Sequence, residues 1–284
     1  MTQPPIAVST WSLHNLLGVT YANGPGVTPT GVAEPTFGPG SVTLESLPAE
    51  LAKRGYGRVE ICHFNLASHE PAYLAKIRSA FEASGVVIQT LLIDDGDITS
   101  PATRDRDLAW IASWIEAAAL IGAENARVIA GKEKPSPEAL ALSVDGLKAM
   151  AALGKARGVR IVTENWFDTL STSEAVHHVL GAAGPDLGFL ADTGNWGGPT
   201  KYADLASIFA RAELCHAKTD FGAGLVIDAQ DYGQCLHAAQ DAGYAGPFTL
   251  IFASEGDEWA GLRRRGRLCW RSIPDRFARI SACG

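Results

Sequence analysis

Three apolar segments of the sequence end on a residue that can bind a metal ion or move a proton. The segment VRIVTENW carries Glu164 directly after its β-branched run, LGFLADTGNW carries Asp192, and LCHAKTDF carries His216. A strand interior does not tolerate an unpaired carboxylate, because burying such a charge is costly. We therefore expect these side chains at strand ends, where they can face a shared site.

Two carboxylates and one imidazole suit a divalent cation such as Mn²⁺, Mg²⁺, Co²⁺ or Zn²⁺. Each residue alone could instead be a polar strand end that makes a local hydrogen bond. Three of them in successive strands favour one common site, because the like-charged Glu164 and Asp192 would repel each other without a counter-charge. The pattern therefore predicts a metal site.

The elements that must position these residues alternate along the whole chain. The predicted strands are Ile6–Trp11, Arg58–Cys62, Val86–Ile93, Ala126–Ala130, Val159–Thr163, Leu187–Ala191, Leu214–Ala217 and Phe248–Phe252. The predicted helices are Leu44–Arg54, Pro71–Ser84, Arg104–Ile121, Pro137–Arg157, Ser173–Ala183, Tyr202–Ala210 and Tyr232–Ala242, with a last one starting near Trp259. Repeated strand-then-helix units predict a single (β/α)8 TIM barrel over residues 1–284. The alternative is an open doubly wound sheet, but this sequence has no GxGxxG motif after the first predicted strand to support it.

One long connection interrupts this alternation. The segment LGVTYANGPGVTPTGVAEPTFGPGSVT follows the first strand and is rich in Gly, Pro and Thr. A connection of this length is usually a lid, a binding loop or a flexible segment. We interpret it as a lid over the barrel mouth or a subunit contact, with an inert insertion as the alternative.

Composition limits the classes of partner. The 284 residues are 46% hydrophobic and 19% charged with a formal net charge of −7, which predicts a large core and disfavours nucleic acid as the main partner. The short basic run at 263–267 is interpreted as a solvated helix face or subunit contact. The five cysteines have no paired spacing and predict reduced thiols. With no signal peptide or membrane span in the sequence, we expect a cytoplasmic protein.

Four motifs in order along the chain resemble the xylose isomerase-like superfamily of sugar isomerases, epimerases and inosose dehydratases. They are YGRVEICHFN, VTENW, ADTGNW and CHAKTDF, and the order of elements fits over nearly the whole chain. The resemblance implies a divalent-metal site with Glu164, Asp192 and His216 as ligands. It also implies a sugar or polyol substrate at the barrel mouth and a homo-oligomer such as a dimer or tetramer. Mn²⁺ is the expected ion, with Mg²⁺, Co²⁺ or Zn²⁺ as alternatives.

Two positions depart from the family pattern. Asn195 stands where the family often has histidine, and the last strand, GPFTLIFASEGDEW, has Ile251 or Phe252 where a glutamate usually closes the site. We expect Glu255 to curl back as the fourth ligand; otherwise the position is open to water or substrate, or the site has lost its metal. Without a second glutamate, epimerisation lacks one of its two bases, whereas one-base isomerisation or elimination remains available.

Further candidates for the catalytic groups lie near the same strand ends. A histidine can exchange a proton near neutrality, so His63 is a candidate acid or base, and it could equally bind a substrate hydroxyl or cap a loop. Lys218 lies on the same strand face as His216 and either pairs with an acid or binds a substrate oxygen. We assign catalysis to Glu164, His63 and Lys218. Substrate binding is assigned to Glu60, Asp94, Trp11, His14, Trp166, Asn195 and Trp196.

The function predicted from these residues is a metal-dependent isomerase or epimerase of a keto-sugar or polyol, acting by proton abstraction next to a metal-bound carbonyl. A dehydratase or lyase acting on a keto-sugar or inosose is the close alternative, because elimination also needs only one base. A non-catalytic sugar-binding or partner subunit with a degenerate site is the third. Retention of Glu164, Asp192 and His216 argues against this last reading.

Overall fold

The computed structural model describes residues 5–272. Within this range eight parallel strands form a closed barrel, in which each strand pairs with the next one along the chain and β8 closes on β1. The strands are β1 (Ile6–Ser9), β2 (Arg58–Cys62), β3 (Val87–Ile93), β4 (Asn125–Val128), β5 (Arg160–Glu164), β6 (Gly188–Asp192), β7 (Leu214–Ala217) and β8 (Phe248–Leu250).

Helices follow the strands and pack around the barrel. They are α1 (His14–Leu17), α2 (Leu47–Lys53), α3 (Pro71–Ser84), α4 (Arg104–Ile121), α5 (Pro137–Arg157), α6 (Ser173–Ala183), α7 (Lys201–Phe209), α8 (Ala229–Asp241) and α9 (Glu258–Ser272). None of the described helices is long and apolar enough to cross a membrane.

The predicted (β/α)8 fold is confirmed, and most element ends agree with the sequence pattern. Helices α4 and α5 end on Gly122 and Gly158, whose φ angles of 76° and 72° are left-handed. Glycine takes this conformation without the steric cost of a Cβ atom, so the chain can leave the helix and enter the next strand. This is why helix ends were predictable from the glycine positions.

The strand register brings the candidate metal ligands to one end of the barrel. Asp192 lies opposite His216 across β6 and β7, while Glu164 on β5 pairs with Leu190. All three are the last or nearly last residues of parallel strands, whose carboxyl ends meet at the same rim. The barrel therefore converts positions far apart in the sequence into neighbours.

The long connection after β1 carries structure of its own. Its short strands Thr20–Tyr21 and Ala33–Glu34 pair antiparallel. Phe37 packs edge-on against Trp11, with ring centroids 6.4 Å apart, at the rim of the barrel. The segment thus contacts the mouth through Trp11.

The basic run in α9 is not wholly solvated, contrary to our interpretation. Arg265 is fully buried, and its guanidinium donates to the carbonyl oxygens of Ala217 (2.9 Å) and Thr219 (2.6 Å). Burial lowers the pKa of Arg265 to about 10. Arg265 therefore attaches α9 to the end of β7, whereas Arg263 and Arg264 are exposed.

Candidate metal and substrate site

A cavity of about 380 Å³ opens at the carboxyl ends of the barrel strands. Three of the four predicted metal ligands line it: Glu164, Asp192 and His216. Five other predicted site residues also line it: Trp11, Asp94, Trp166, Asn195 and Lys218. Active sites of (β/α)8 barrels lie at this end, because the loops that follow the strands can vary there without disturbing the barrel.

The three predicted ligands converge. One ligand atom from each of Glu164, Asp192 and His216 lies within 4.8 Å of the others, and all three side chains are buried. Nδ1 of His216 is 3.5 Å from Oε1 of Glu164 and 3.5 Å from Oδ2 of Asp192. The imidazole nitrogen thus faces both carboxylates across one small space.

Backbone and amide contacts hold Asp192 in place. Asn165, fully buried after β5, accepts from the backbone N–H of Asp192 (2.7 Å) and donates to its carbonyl oxygen (3.0 Å). Oδ1 of Asp192 accepts from the backbone N–H of Gly194 at 2.6 Å. With Oδ1 engaged in this way, Oδ2 is the oxygen that points toward His216.

A chain of hydrogen bonds links Glu164 to Lys218. Nζ of Lys218 donates to Oδ1 of Asn195 (3.0 Å), and Nδ2 of Asn195 donates to Oε1 of Glu164 (2.9 Å). Asn195 therefore orients both charged groups from the position where the family often has histidine. The other oxygen of Glu164, Oε2, is buried without a hydrogen bond among the described residues.

Arg127 on β4 is a site residue that the sequence analysis missed. Its fully buried guanidinium lies between two carboxylates. Nη2 donates a hydrogen bond to Oδ1 of Asp94, and Nε lies 3.2 Å from Oε2 of Glu164. The contact with Glu164 is an ion pair without hydrogen-bond geometry, since neither atom has a hydrogen-bond partner. The guanidinium also lies 4.7 Å from the ring centroid of Trp166, within cation–π range.

The charged groups shift one another's pKa values. Burial opposes ionisation of Asp94, but Arg127 and His63 outweigh it and hold the pKa of this carboxyl below its usual value. Burial likewise opposes a charge on His216, yet the carboxylates of Glu60 and Glu164 raise the pKa of the imidazole well above its usual value. The site therefore favours the ionised form of Asp94 and the positively charged form of His216.

Glu60 does not contact the cavity, which corrects its assignment to substrate binding. It is fully buried on β2, and its Oε2 lies 2.7 Å from Nε2 of His216, on the side of the ring away from the two other carboxylates. Burial raises the pKa of Glu60, but His216 outweighs it and the net shift is downward. Glu60 thus acts on His216 and cannot reach a substrate in the cavity.

His63 does not line the cavity either, contrary to its assignment as a catalytic group. Its ring is buried against Phe64, Trp110 and Trp114, and its Nδ1 accepts from the backbone N–H of Asp94 at 3.1 Å. The ring therefore supports Asp94 from behind.

His14 and Trp196 are also placed away from the cavity, so their assignment to substrate binding is corrected. Nδ1 of His14 bonds to the carbonyl oxygen of Trp11 (2.7 Å), and its ring packs on Phe37 of the long connection. The indole N–H of Trp196 donates to the carbonyl oxygen of Leu170 (3.2 Å). Both side chains stabilise loops around the mouth.

The end of β8 supplies no acid to the site. Ile251 lines the cavity where the family usually has glutamate, and Glu255 is exposed in the following loop. Glu255 is not part of the cluster of Glu164, Asp192 and His216. The structure therefore places Glu255 apart from the three other predicted ligands.

The residues present fit a divalent cation. Two carboxylates and a neutral imidazole are suitable donors. Oε2 of Glu164 is buried without a hydrogen bond, and a cation bound to this carboxylate would compensate its charge. The remaining coordination positions would fall to water or substrate, as in metal sites with open positions.

Aromatic side chains form much of the remaining cavity wall. Phe64 and Phe167, which the sequence analysis did not single out, line it together with Trp11 and Trp166. Phe167 has a φ of 55°, which is uncommon for a residue other than glycine. Such faces suit the C–H surfaces of a ring or chain whose polar groups point to the charged residues.

Comparison with known proteins agrees with this architecture. A family model described as a xylose isomerase-like TIM barrel matches residues 48–272. No curated protein matches the chain. Similar solved structures include a xylose isomerase-like TIM barrel protein from Mycobacterium smegmatis in complex with magnesium, with 16% identity, 95% of this chain and 97% of that chain covered, and a TM-score of 0.67.

Two further similar structures are named as sugar epimerases. A D-allulose 3-epimerase from Methylomonas sp. is 14% identical, with 96% of this chain and 99% of that chain covered and a TM-score of 0.69. A 3-keto-D-glucoside 4-epimerase from E. coli is 14% identical, with 95% and 100% covered and a TM-score of 0.66. At these identities the likeness is one of fold.

Proposed function

We propose, since this chain belongs to the xylose isomerase-like TIM barrel family, that it is a divalent-metal-dependent isomerase or epimerase of a keto-sugar or polyol. The observation that carries the proposal is the convergence of Glu164, Asp192 and His216 on one space in a cavity at the barrel mouth. Three buried ligand groups of this kind, two of which carry the same charge, have no evident role in packing. The named epimerases among the similar structures support the substrate class.

In this mechanism Glu164, Asp192 and His216 hold the cation. The bound cation would polarise the substrate carbonyl and stabilise negative charge that develops on its oxygen. The Glu164 carboxylate removes the proton from the carbon next to that carbonyl. Asn195 keeps Oε1 of Glu164 oriented through its 2.9 Å hydrogen bond, which leaves Oε2 free of hydrogen bonds.

Lys218 is the second group that we assign to the reaction. Its ammonium lines the cavity and bonds to Asn195. From there it can donate a hydrogen bond to a substrate oxygen, and it can return a proton after Glu164 has removed one. Trp11 and Trp166 would bound the apolar faces of the substrate.

One-base chemistry is favoured by the residue at the end of β8. Epimerisation by two carboxylates on opposite faces needs an acid where Ile251 lines the cavity. Isomerisation needs only one base, which moves a proton between neighbouring carbons. The same feature favours the second candidate, elimination of water from a keto-sugar or inosose, in which Glu164 removes the proton and Lys218 protonates the leaving oxygen.

Exchange of substrate hydrogen with solvent separates these reactions. The protein would be incubated with Mn²⁺ and a panel of ketoses, aldoses and inososes in D2O, and deuterium would be located by NMR. We expect deuterium next to the carbonyl, with an isomerised or epimerised product, and no exchange in Glu164→Gln. An unsaturated product would assign the lyase reaction. Absence of both exchange and turnover in a protein that binds the metal would refute the enzymatic proposal.

The remaining partner assignments are also proposals. We propose a small sugar or polyol as the ligand, a cytoplasmic location and a homo-oligomeric assembly, with no nucleic acid or membrane partner. They derive from the acidic composition of the chain and from the family to which it belongs. Light scattering of the purified protein tests the assembly directly.

A further inference from the structure

The position of Glu60 suggests a role in preparing His216 for metal binding. Glu60 is fully buried and its Oε2 lies 2.7 Å from Nε2 of His216. The opposite ring nitrogen, Nδ1, faces Glu164 and Asp192 at 3.5 Å each. The imidazole is therefore held between one carboxylate behind it and two in front of it.

An irregularity in the sheet explains how Glu60 is held. Val59 pairs with Ile88, but Glu60 pairs with Thr90, so that Gln89 is an extra residue in β3 at this point. Such a bulge redirects side chains that would otherwise alternate between faces. As a result, Nε2 of Gln89 (3.1 Å) and the hydroxyl of Thr90 (3.0 Å) both donate to Oε1 of Glu60.

The amide of Gln89 is oriented by its other contacts. Nε of Arg58 donates to Oε1 of Gln89 (2.9 Å), so the NH2 group must point inward, where it donates to Glu60 and to the hydroxyl of Thr249 (3.1 Å). Oε1 of Glu60 thus receives two donors. Its other oxygen, Oε2, remains for His216.

This arrangement decides which nitrogen of a neutral His216 carries the hydrogen. A carboxylate only accepts hydrogen bonds, so Glu60 requires the hydrogen on Nε2 and leaves the lone pair on Nδ1. Without Glu60, Glu164 and Asp192 would attract the hydrogen to Nδ1, because they too are acceptors. A hydrogen on Nδ1 would block the atom that faces the proposed metal position.

We infer that Glu60 is a positioning residue that keeps the hydrogen of His216 on Nε2 and so presents Nδ1 as a metal ligand. The inference rests on the proposed metal site. Carboxylate partners behind metal-bound histidines commonly have this effect, and their removal typically costs about 10–100-fold in metal affinity. Here the carboxylate comes from β2 and the histidine from β7.

Glu60→Gln tests the inference with almost no change of shape. Gln89 and Thr90 both donate toward position 60, so the new amide oxygen should face them and the new NH2 should face His216. Nε2 of His216 must then accept, which moves the hydrogen to Nδ1. We expect Co²⁺ affinity, measured from the visible absorption spectrum, to fall about 10–100-fold.

A double variant provides a rescue. In Glu60→Gln with Gln89→Glu, the new carboxylate at 89 accepts from Arg58, from Thr249 and from the amide at 60, which turns the amide oxygen toward His216. The hydrogen returns to Nε2, and Co²⁺ affinity should recover most of the loss. A role of Glu60 in folding alone would not produce this recovery. Asp107→Asn, which alters a buried carboxylate outside the cavity, should leave Co²⁺ affinity unchanged.

Nitrogen-15 NMR of His216 reads the tautomer directly in the Zn²⁺-loaded wild type, where we expect the hydrogen on Nε2 and the metal on Nδ1. A hydrogen on Nδ1 there would overturn the inference even if the variants do not fold. If Glu60→Gln binds Co²⁺ as tightly as the wild type, the positioning role of Glu60 is refuted, whereas the proposed metal site is not. A wild-type protein that binds neither Co²⁺ nor Zn²⁺ would refute the metal site itself, and the inference with it.

Discussion

Replacing Arg127 by methionine should destabilise the metal-free protein strongly. Arg127 is fully buried between Asp94 and Glu164, so its removal leaves the buried Glu164 and the mostly buried Asp94 without their shared cation. Methionine fills a similar volume and keeps the apolar contacts of the side-chain stem. The expected loss therefore comes from charge and not from a cavity.

The magnitude follows from the contacts. Removing one partner of a buried ion pair typically costs about 3–5 kcal/mol. Loss of the cation–π contact with Trp166 adds about 0.5–2 kcal/mol. Since each kcal/mol lowers the Tm by roughly 2–4 °C in domains of 150–250 residues, we expect a fall of roughly 7–28 °C in the presence of chelator.

Metal affinity should not fall in the same variant. Nε of Arg127 lies 3.2 Å from Oε2 of Glu164, so its positive charge opposes the binding of a divalent cation to the same carboxylate. Without the guanidinium the cation should bind at least as tightly. At saturating metal, each tenfold gain in Mn²⁺ affinity would reduce the difference in free energy of unfolding between Arg127→Met and wild type by about 1.4 kcal/mol.

Urea unfolding with EDTA and with excess Mn²⁺ measures both effects. Arg157→Met is the matched control, because Arg157 pairs with Glu116 at the surface, where solvent screens the pair, and its loss should leave the free energy of unfolding nearly unchanged. Equal stability of the two variants in EDTA would refute the reasoning. So would a loss of Mn²⁺ affinity in Arg127→Met, since it would mean that the guanidinium supports the cation instead of competing with it.

Three further results are expected. Calorimetric titration should show at least tenfold weaker Mn²⁺ binding when one proposed ligand is removed, as in Glu164→Gln, Asp192→Asn and His216→Ala. We expect an unchanged affinity for Glu255→Gln. Wild-type affinity in the three ligand variants would exclude the site. In Gly194→Ala the new Cβ would lie 2.6 Å from Cγ of Lys218, so kcat of the identified reaction should fall by up to about 100-fold with little change in Tm, because a displacement of about 1 Å is enough for such a loss. Arg127 holds the pKa of Asp94 below its unfolded value, so this carboxyl adds stability at neutral pH that is lost as the pH falls below about 4. Asp94→Asn should therefore cost about 3 kcal/mol at pH 7 and less at pH 3 by urea unfolding, and an equal cost at both pH values would contradict the assignment.

The convergence of the three proposed metal ligands was predictable because the signal is local. Glu164 and Asp192 each end an apolar run, and a charge at that position must lie at a strand end. The same reasoning applied to NARV, where Arg127 stands among apolar residues, would have found the missed cation. A lone arginine in a strand is nevertheless ambiguous in sequence, since the acid that neutralises it, Asp94, belongs to another strand.

The predicted site residues that the structure places away from the cavity depend on contacts between distant segments. His63 and Glu60 carry reactive groups and lie near a strand end, yet the fold turns one toward Trp110 and Trp114 and the other toward His216. Glu255 was expected to curl back into the cavity, and the loop after β8 instead leaves it exposed. Side-chain direction at these positions follows from neighbours that no local pattern reveals.

The sequence by itself determined the barrel, most of its element boundaries and the convergence of Glu164, Asp192 and His216, because apolar periodicity, helix-ending glycines and charges at strand ends are properties of short segments. The tertiary structure decided which of the other polar groups face the cavity. The bulge at Gln89 directs two donors to Glu60, and the pairing of β4 with β5, which sets Arg127 opposite Val162, brings Arg127 against Glu164. Both results depend on the stagger between strands, a property of the closed sheet that no single segment encodes.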